Sequence, residues 1–184
     1  MMKKLWFVIL VMAFVFGAGR SAMVAELRPG EEEFNKALHM FTRERKQVEA
    51  FAEFQKSADK GFPDGFSWVG LYFLHEDWPG EYNAEKAVEF LKKGADLGSS
   101  AGLVNIGAIY TFGINGTQAY INIPLGIEYL EKAIAVDNPL IGAFINMGRV
   151  YEEGIGREKN PQKAREMYDK AEIIGRPPRS DDLP

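Results

Sequence analysis

The chain of 184 residues is 46 % hydrophobic and 26 % charged, which is typical of a folded protein rather than a disordered one. The absence of cysteine excludes disulfide bonds, thiolate metal sites and a cysteine nucleophile. A formal net charge of −4 disfavours nucleic acid as a partner, because nucleic-acid binders usually carry a basic face.

The N-terminal segment has the pattern of a secretory signal peptide. Lys3 and Lys4 precede fifteen uncharged and mostly apolar residues, from Leu5 to Gly19. A helix of that length spans roughly 22 Å, whereas the hydrocarbon core of a bilayer is about 30 Å thick. The run therefore favours a signal peptide over its alternative, an uncleaved membrane anchor. Small residues around Ser21 predict a signal peptide of residues 1–21 and a periplasmic or secreted protein.

Cleavage there would leave an acidic chain without an integral membrane span. It removes three basic residues and no acidic one, so the formal net charge falls from −4 to −7. We expect a linker at residues 22–30, a helical domain at residues 31–175 and a disordered tail at residues 176–184, which is polar and rich in proline.

Two amphipathic segments predict a first helix pair. Apolar residues recur at helical spacing between Glu31 and about Arg43 and again between Ala50 and Gly61. The apolar positions of the first segment are Phe34, Ala37, Leu38 and Phe41, and the small or apolar positions of the second are Ala50, Phe54, Ser57 and Gly61.

Three later segments, 65–73, 102–110 and 143–151, share one pattern. Each begins with a tiny residue, continues with apolar residues and a glycine, and ends with an aromatic residue three positions after that glycine. These offsets place the shared positions on one face of a helix. Because glycine costs about 1 kcal/mol inside a helix, the repeated Gly70, Gly107 and Gly148 predict close helix–helix contacts that leave no room for a Cβ atom.

A second helix follows each of these segments. It opens with Asn83, Asn122 or Asn160, and asparagine is a favoured N-cap because its side chain accepts a bond from a free backbone N–H. Gly98 and Gly175 stand where such helices would end, so we expect them to be C-caps.

The residue types required for catalysis or metal binding do not converge in the sequence. His39 and His75 are far apart and are expected to be surface or packing residues, and the short acidic runs are expected to be solvated. We therefore expect no enzyme activity, no metal site and no cofactor.

The repeated pattern resembles the Sel1-like repeat of the tetratricopeptide superfamily, over roughly residues 45–175. The third copy matches it best, at Met147, Gly148, Tyr151, Gly154, Gly156, Asn160, Ala164, Tyr168, Ala171 and Gly175. The resemblance implies an all-α, right-handed superhelical solenoid of about four antiparallel helix pairs. It also implies a scaffold that binds a protein or peptide on its concave face. Asparagine replaces the family's usual aspartate at the caps, and the cysteine-rich members are not matched.

A stripe on the first helix of each pair is the predicted partner surface. It lies one turn from the packing ridge and consists of Ser67, Leu71, Leu74, Val104, Ala108, Thr111, Ile145, Arg149 and Glu152. The alternative is that the curvature of the superhelix buries this stripe as ordinary core.

The function that these observations favour is an exported scaffold, an adaptor or regulator in the cell envelope. The alternatives are a cell-wall-associated enzyme or enzyme accessory, and a secreted effector.

Overall fold

A computed structural model describes residues 27–76, 78–79, 81–115 and 117–175 of the chain. The predicted signal peptide and the predicted tail lie outside the described residues. Those residues form eight α-helices and no β-strand: α1 (Glu31–His39), α2 (Gln47–Asp59), α3 (Pro63–Tyr72), α4 (Ala84–Asp96), α5 (Ser100–Phe112), α6 (Ile123–Ala135), α7 (Ile141–Glu153) and α8 (Pro161–Gly175).

Consecutive helices pack into four antiparallel pairs that stack in chain order. Each pair contacts the next, and α3 and α5 also contact each other directly. The first pair is completed by a π-helical turn, Met40–Glu44, which continues α1. The expected all-α solenoid of four helix pairs is confirmed.

Within each of the last three pairs the same hydrogen bonds close the loop. The side chains of Asn83, Asn122 and Asn160 each accept a backbone N–H in the following first turn, at 2.9, 3.3 and 2.9 Å. The backbone N–H groups of these asparagines donate in turn to the carbonyls of Phe73, Tyr110 and Tyr151, at 2.9, 2.8 and 2.8 Å. The cap and the aromatic residue of the sequence pattern are thus the two ends of one contact, and the predicted N-caps are confirmed.

The turns between pairs are of two kinds. After α2 and α4, Gly61 and Gly98 adopt left-handed conformations with φ of 86° and 92°, as expected of C-caps. After α6 the chain instead leaves through Val136 in an extended conformation, with φ of −71° and ψ of 159°. Gly175, also expected to be a C-cap, is itself the last residue of α8, and the chain beyond it lies outside the described residues.

The glycines at the shared register stand where paired helices meet most closely. A Cβ atom on Gly70 would lie 2.7 Å from Leu91 Cγ, and one on Gly107 would lie 2.9 Å from Leu130 Cγ. A Cβ atom on Gly148 would lie 2.7 Å from Cδ1 of Tyr168. These distances are shorter than van der Waals contact, which confirms the predicted close approach.

Aromatic side chains fill the N-terminal part of the core. The rings of Phe54 and Trp68 stack at 4.8 Å, and Trp78, from the loop after α3, lies 5.2 Å from Phe41 and 4.8 Å from Tyr72. This loop aromatic therefore packs over the ends of the helices.

Among the described helices, none has both the length and the apolar character that a membrane span requires.

Candidate functional site

Three residues of the predicted partner stripe are inside the protein. Ser67 is fully buried and donates to Ser99 Oγ at 2.8 Å, and Thr111 is buried and donates to the Gly107 carbonyl at 2.7 Å. Val104 is buried because the start of α7 covers it, and a Cβ atom on Gly142 would lie 3.2 Å from its Cγ1. These three side chains cannot line an accessible surface, because α5 covers Ser67, α7 covers Val104, and α6 of the same pair covers Thr111.

The remaining stripe residues divide into two groups. Leu71 on α3, Ala108 on α5 and Leu74 in the turn after α3 are half-buried. Ile145, Arg149 and Glu152 are exposed on α7. The structure therefore does not join the nine residues into one continuous surface.

The α7 group is held by local contacts. Arg149 Nε lies 2.7 Å from Glu153 Oε1, and the guanidinium lies over the Phe112 ring at 4.3 Å. Glu152 accepts a bond from the Tyr168 hydroxyl at 2.7 Å, and burial followed by this bond raises the pKa of Tyr168 to about 12. Both charged side chains are thus engaged with the protein itself.

Leu71 and Leu74 line a cavity of about 290 Å³ between α3, α5 and the loop that follows α5. Its lining residues are Leu71, Leu74, His75, Asn105, Ile109, Gly113, Ile114 and Asn115. The floor is aliphatic and the rim carries amide and imidazole groups, an arrangement that can accommodate an apolar side chain beside a hydrogen-bonding backbone.

Asn105 is the polar group best placed to contact an occupant. Its Nδ2 donates to the Ala101 carbonyl at 2.8 Å, which fixes the side chain along α5 and orients its amide. His75 is held differently, because its ring stacks on Trp78 at 4.1 Å. The sequence carries a signal for Asn105, since it occupies the same register as Asn146 directly before the apolar–glycine pair. The other rim residues come from loops, which the helical spacing did not address.

A chain of hydroxyl and carboxyl groups at the start of α5 has a structural explanation. Ser99 Oγ accepts the Gly102 N–H at 3.1 Å, as an N-cap, and donates to Asp64 Oδ1 at 2.5 Å. Ser67 completes the chain. These bonds join the N-cap of α5 to the first turn of α3, and no histidine or lysine takes part in them.

The two histidines are packing and surface residues, as expected. His75 stacks on Trp78, and His39 Nδ1 lies 3.0 Å from Glu44 Oε1. Over the described ranges, no group of three or more histidine, aspartate or glutamate side chains is arranged to hold a metal ion.

Comparison with solved structures shows the same fold. A Sel1 repeat protein from Oxalobacter formigenes superposes with a TM-score of 0.64 at 24 % identity, covering 78 % of this chain and 54 % of that one. A protective antigen of uropathogenic Escherichia coli with an SLR fold gives a TM-score of 0.62 at 23 % identity, covering 78 % and 30 %. A sel1 repeat protein from Klebsiella pneumoniae gives 0.61 at 17 % identity, covering 80 % and 75 %.

A similar sequence is found in a eukaryotic protein. Cytochrome c oxidase assembly factor 7 of Xenopus tropicalis is 31 % identical over 134 residues, which is 69 % of this chain and 55 % of that protein. The chain thus spans about half the length of the curated relative that it matches.

The family model named Sel1 repeat matches three successive segments, residues 67–99, 100–138 and 145–172. Each segment contains most of one of the last three helix pairs, and the first pair lies outside the match. Because these segments cover more than half of the chain and its helices stack as in Sel1 repeat structures, the protein belongs to the Sel1 repeat family.

Proposed function

We propose that this protein is an exported scaffold that binds a segment of another protein in the cavity between α3 and α5, and that it acts as an adaptor or regulator in the cell envelope. The observation that carries the proposal is the cavity itself, where Leu71 and Leu74 lie beside the amide of Asn105. An apolar floor with a polar rim suits an extended peptide with one apolar side chain.

Membership of the Sel1 repeat family supports a role in binding another protein. Sel1 repeats generally mediate protein interaction. The frog relative is named as an assembly factor for cytochrome c oxidase, and we extend to this chain only the general role of acting on another protein. Export is supported by the sequence pattern of residues 1–21.

The test compares one substitution at two equivalent positions. Partners recovered with the chain beginning at Ala22 are identified by mass spectrometry, and their affinities are then measured for Asn105→Ala and for the control Asn146→Ala. Asn146 has the same register on α7 but does not line the cavity. We expect Asn105→Ala to weaken partner binding about tenfold, because it removes roughly one hydrogen-bonding group. Asn146→Ala should leave the affinity unchanged.

Equal affinities of the partner for the two variants would show that the cavity is not the binding site. Fractionation of the native cells separates the remaining alternatives, because a secreted effector accumulates in the medium and an envelope adaptor does not. Hydrolysis of cell-wall polymers by the purified chain would support the enzyme alternative instead.

A further inference from the structure

We propose that two copies of this chain associate through a two-fold contact at the end of the last helix pair. The surface, here called the end face, consists of Leu140, Ile141, Ile145, Ile173 and Ile174. These are five of the nine large hydrophobic side chains exposed in the described residues, with exposures of 43, 37, 47, 65 and 43 %. This inference concerns a different surface from the cavity and does not depend on the function proposed for it.

The end face is one surface contributed by two helices. Leu140, Ile141 and Ile145 lie at and after the start of α7, and Ile173 and Ile174 lie at the end of α8. A Cβ atom on Gly175 would lie 3.4 Å from Ile141 Cδ1, so the end of α8 contacts the start of α7. An exposed aliphatic patch of this kind marks an interaction site in a water-soluble protein.

The earlier repeats show what such positions do. Ile145 has the register of Ser67 and Val104, which are 0 and 9 % exposed because the next first helix covers them. Ile173 has the register of Asp96, whose carboxylate accepts the hydroxyl of Tyr129 from the following pair at 2.9 Å. The Ile145 position therefore belongs to the stacking interface between pairs, and the Ile173 position borders that interface, since Asp96 is about half exposed and its counterpart Ala135 is exposed. The end face continues that interface beyond the last described helix.

The first helix of the solenoid does not complement this face. The exposed side chains of α1 are polar, and they include Glu32, Asn35 and His39. A head-to-tail stack would bury these groups against isoleucines without hydrogen-bond partners, at a cost in free energy. Within this chain, the matching apolar surface is the end face of a second copy. A face that pairs with itself gives a closed two-fold dimer rather than a filament.

Two cationic side chains beside the end face have partners within the same copy. Arg149, one turn after Ile145, is neutralised by Glu153 on the same helix at 2.7 Å. Lys170 of α8 lies toward the ring of Phe144, at 6.0 Å, within the same copy. The two-fold contact therefore brings aliphatic side chains together, and Arg149 and Lys170 keep their partners within each copy.

The mass of the protein in solution tests the dimer. We expect light scattering or sedimentation of the chain beginning at Ala22 to give twice the monomer mass at about 100 µM, a concentration suited to a micromolar contact. Ile145→Asp should raise the dimer dissociation constant at least about tenfold. The matched control is Val48→Asp, which places the same charge on another exposed aliphatic residue, 66 % exposed on α2, and it should remain dimeric.

The lack of cysteine allows a second measurement. A single cysteine introduced by Ile145→Cys should be protected from thiol alkylation in the dimer, because the contact covers it, and one introduced by Val48→Cys should not. If Ile145→Asp fails to fold, as judged by its melting temperature, Ile173→Asp takes its place, because Ile173 is the most exposed member of the face.

Three results would overturn the proposal: a wild-type monomer at every concentration, equal dissociation of the Ile145 and Val48 variants, or a cysteine at position 145 that is alkylated as fast as one at position 48 in the dimer. Residues 22–175 and residues 22–184 should also be compared. If only the shorter chain dimerises, residues 176–184 cover the end face, and the proposal is wrong for the longer chain. Asn105→Ala should still dimerise, so failure of the dimer and failure of the proposed partner cavity are distinguishable.

Discussion

At the residue scale, the glycines of the repeat define the distance between paired helices. Gly70, Gly107 and Gly148 each face a large side chain of the partner helix with no space for a Cβ atom. At Gly107 that atom would also approach the backbone nitrogen of Leu130 at 3.1 Å. A side chain can rotate away from such a contact, but a helix backbone cannot without moving the whole helix.

Replacing Gly107 with leucine should therefore separate α5 from α6. We expect Gly107→Leu to lower the free energy of unfolding by about 1–3 kcal/mol or more, the usual cost of overpacking a core, as measured by thermal or urea denaturation. Ala135→Leu makes a similar enlargement at an exposed position of α6 and should change stability little. A Gly107→Leu variant as stable as that control would show that the two helices can separate without cost.

Residue spacing predicted these contacts better than it predicted the partner surface. The period of the pattern places Ser67, Leu71 and Leu74 on one face of a helix, but α3 ends at Tyr72 and Leu74 lies in the turn that follows it. Whether that face is covered depends on how the next pair stacks, which is set by contacts such as Gly142 against Val104. Those contacts join residues 38 positions apart, and helical spacing carries no information about them.

At the scale of elements, α1 and α2 are joined by a carboxylate at the edge of the core. Glu53 Oε1 lies 2.7 Å from Lys56 Nζ on its own helix and 3.1 Å from Lys36 Nζ on α1. The hydrogen bond from Lys56, with a further bond from Lys36, lowers the pKa of Glu53, although burial acts in the opposite direction. The first pair, which the family model does not match, thus has an ionic contact of its own.

This contact makes stability depend on pH in a defined direction. Because the pKa of Glu53 is lower in the folded state, its contribution is present above the unfolded value of about 4.3. The contribution is lost as the pH falls through the folded value. We expect Glu53→Gln to cost about 1 kcal/mol at neutral pH, a modest value because both lysines are exposed.

Urea denaturation at neutral and acidic pH measures this difference. The gap between wild type and Glu53→Gln should shrink below the usual glutamate pKa, whereas the control Glu49→Gln, exposed on the same helix, should leave stability nearly unchanged. A gap that is the same at both pH values would mean that the side chain acts through packing rather than charge.

At the scale of the whole molecule, the order of helices could be predicted because each pair repeats one pattern. The asparagine caps and the glycines specify where helices begin and where they approach, and neither depends on distant parts of the chain. The loops did not follow the pattern. His75, Gly113 and Asn115, which line the cavity, belong to connections of different length and composition, and their positions follow from the packed pairs.

The ends of the chain bear on where the protein acts. The apolar run from Leu5 to Gly19 predicts that protein purified from the native host begins near Ala22. An intact-mass measurement checks this, with the mass expected to match residues 22–184. A full-length mass in the membrane fraction would contradict export by cleavage and support an anchor.

The extended conformation of the chain after α6 also affects which part of the molecule unfolds first. The first two junctions between pairs are closed by a left-handed glycine, whereas the third passes through Val136 and enters α7 at Leu140, which provides no side-chain cap. In a stacked array, a terminal pair is held by one neighbour only, so α7 and α8 should form the cooperative unit that unfolds first and exchanges its amide hydrogens soonest. A second copy bound at the end face would supply the missing neighbour. The lifetime of the folded α7–α8 pair would then depend on protein concentration.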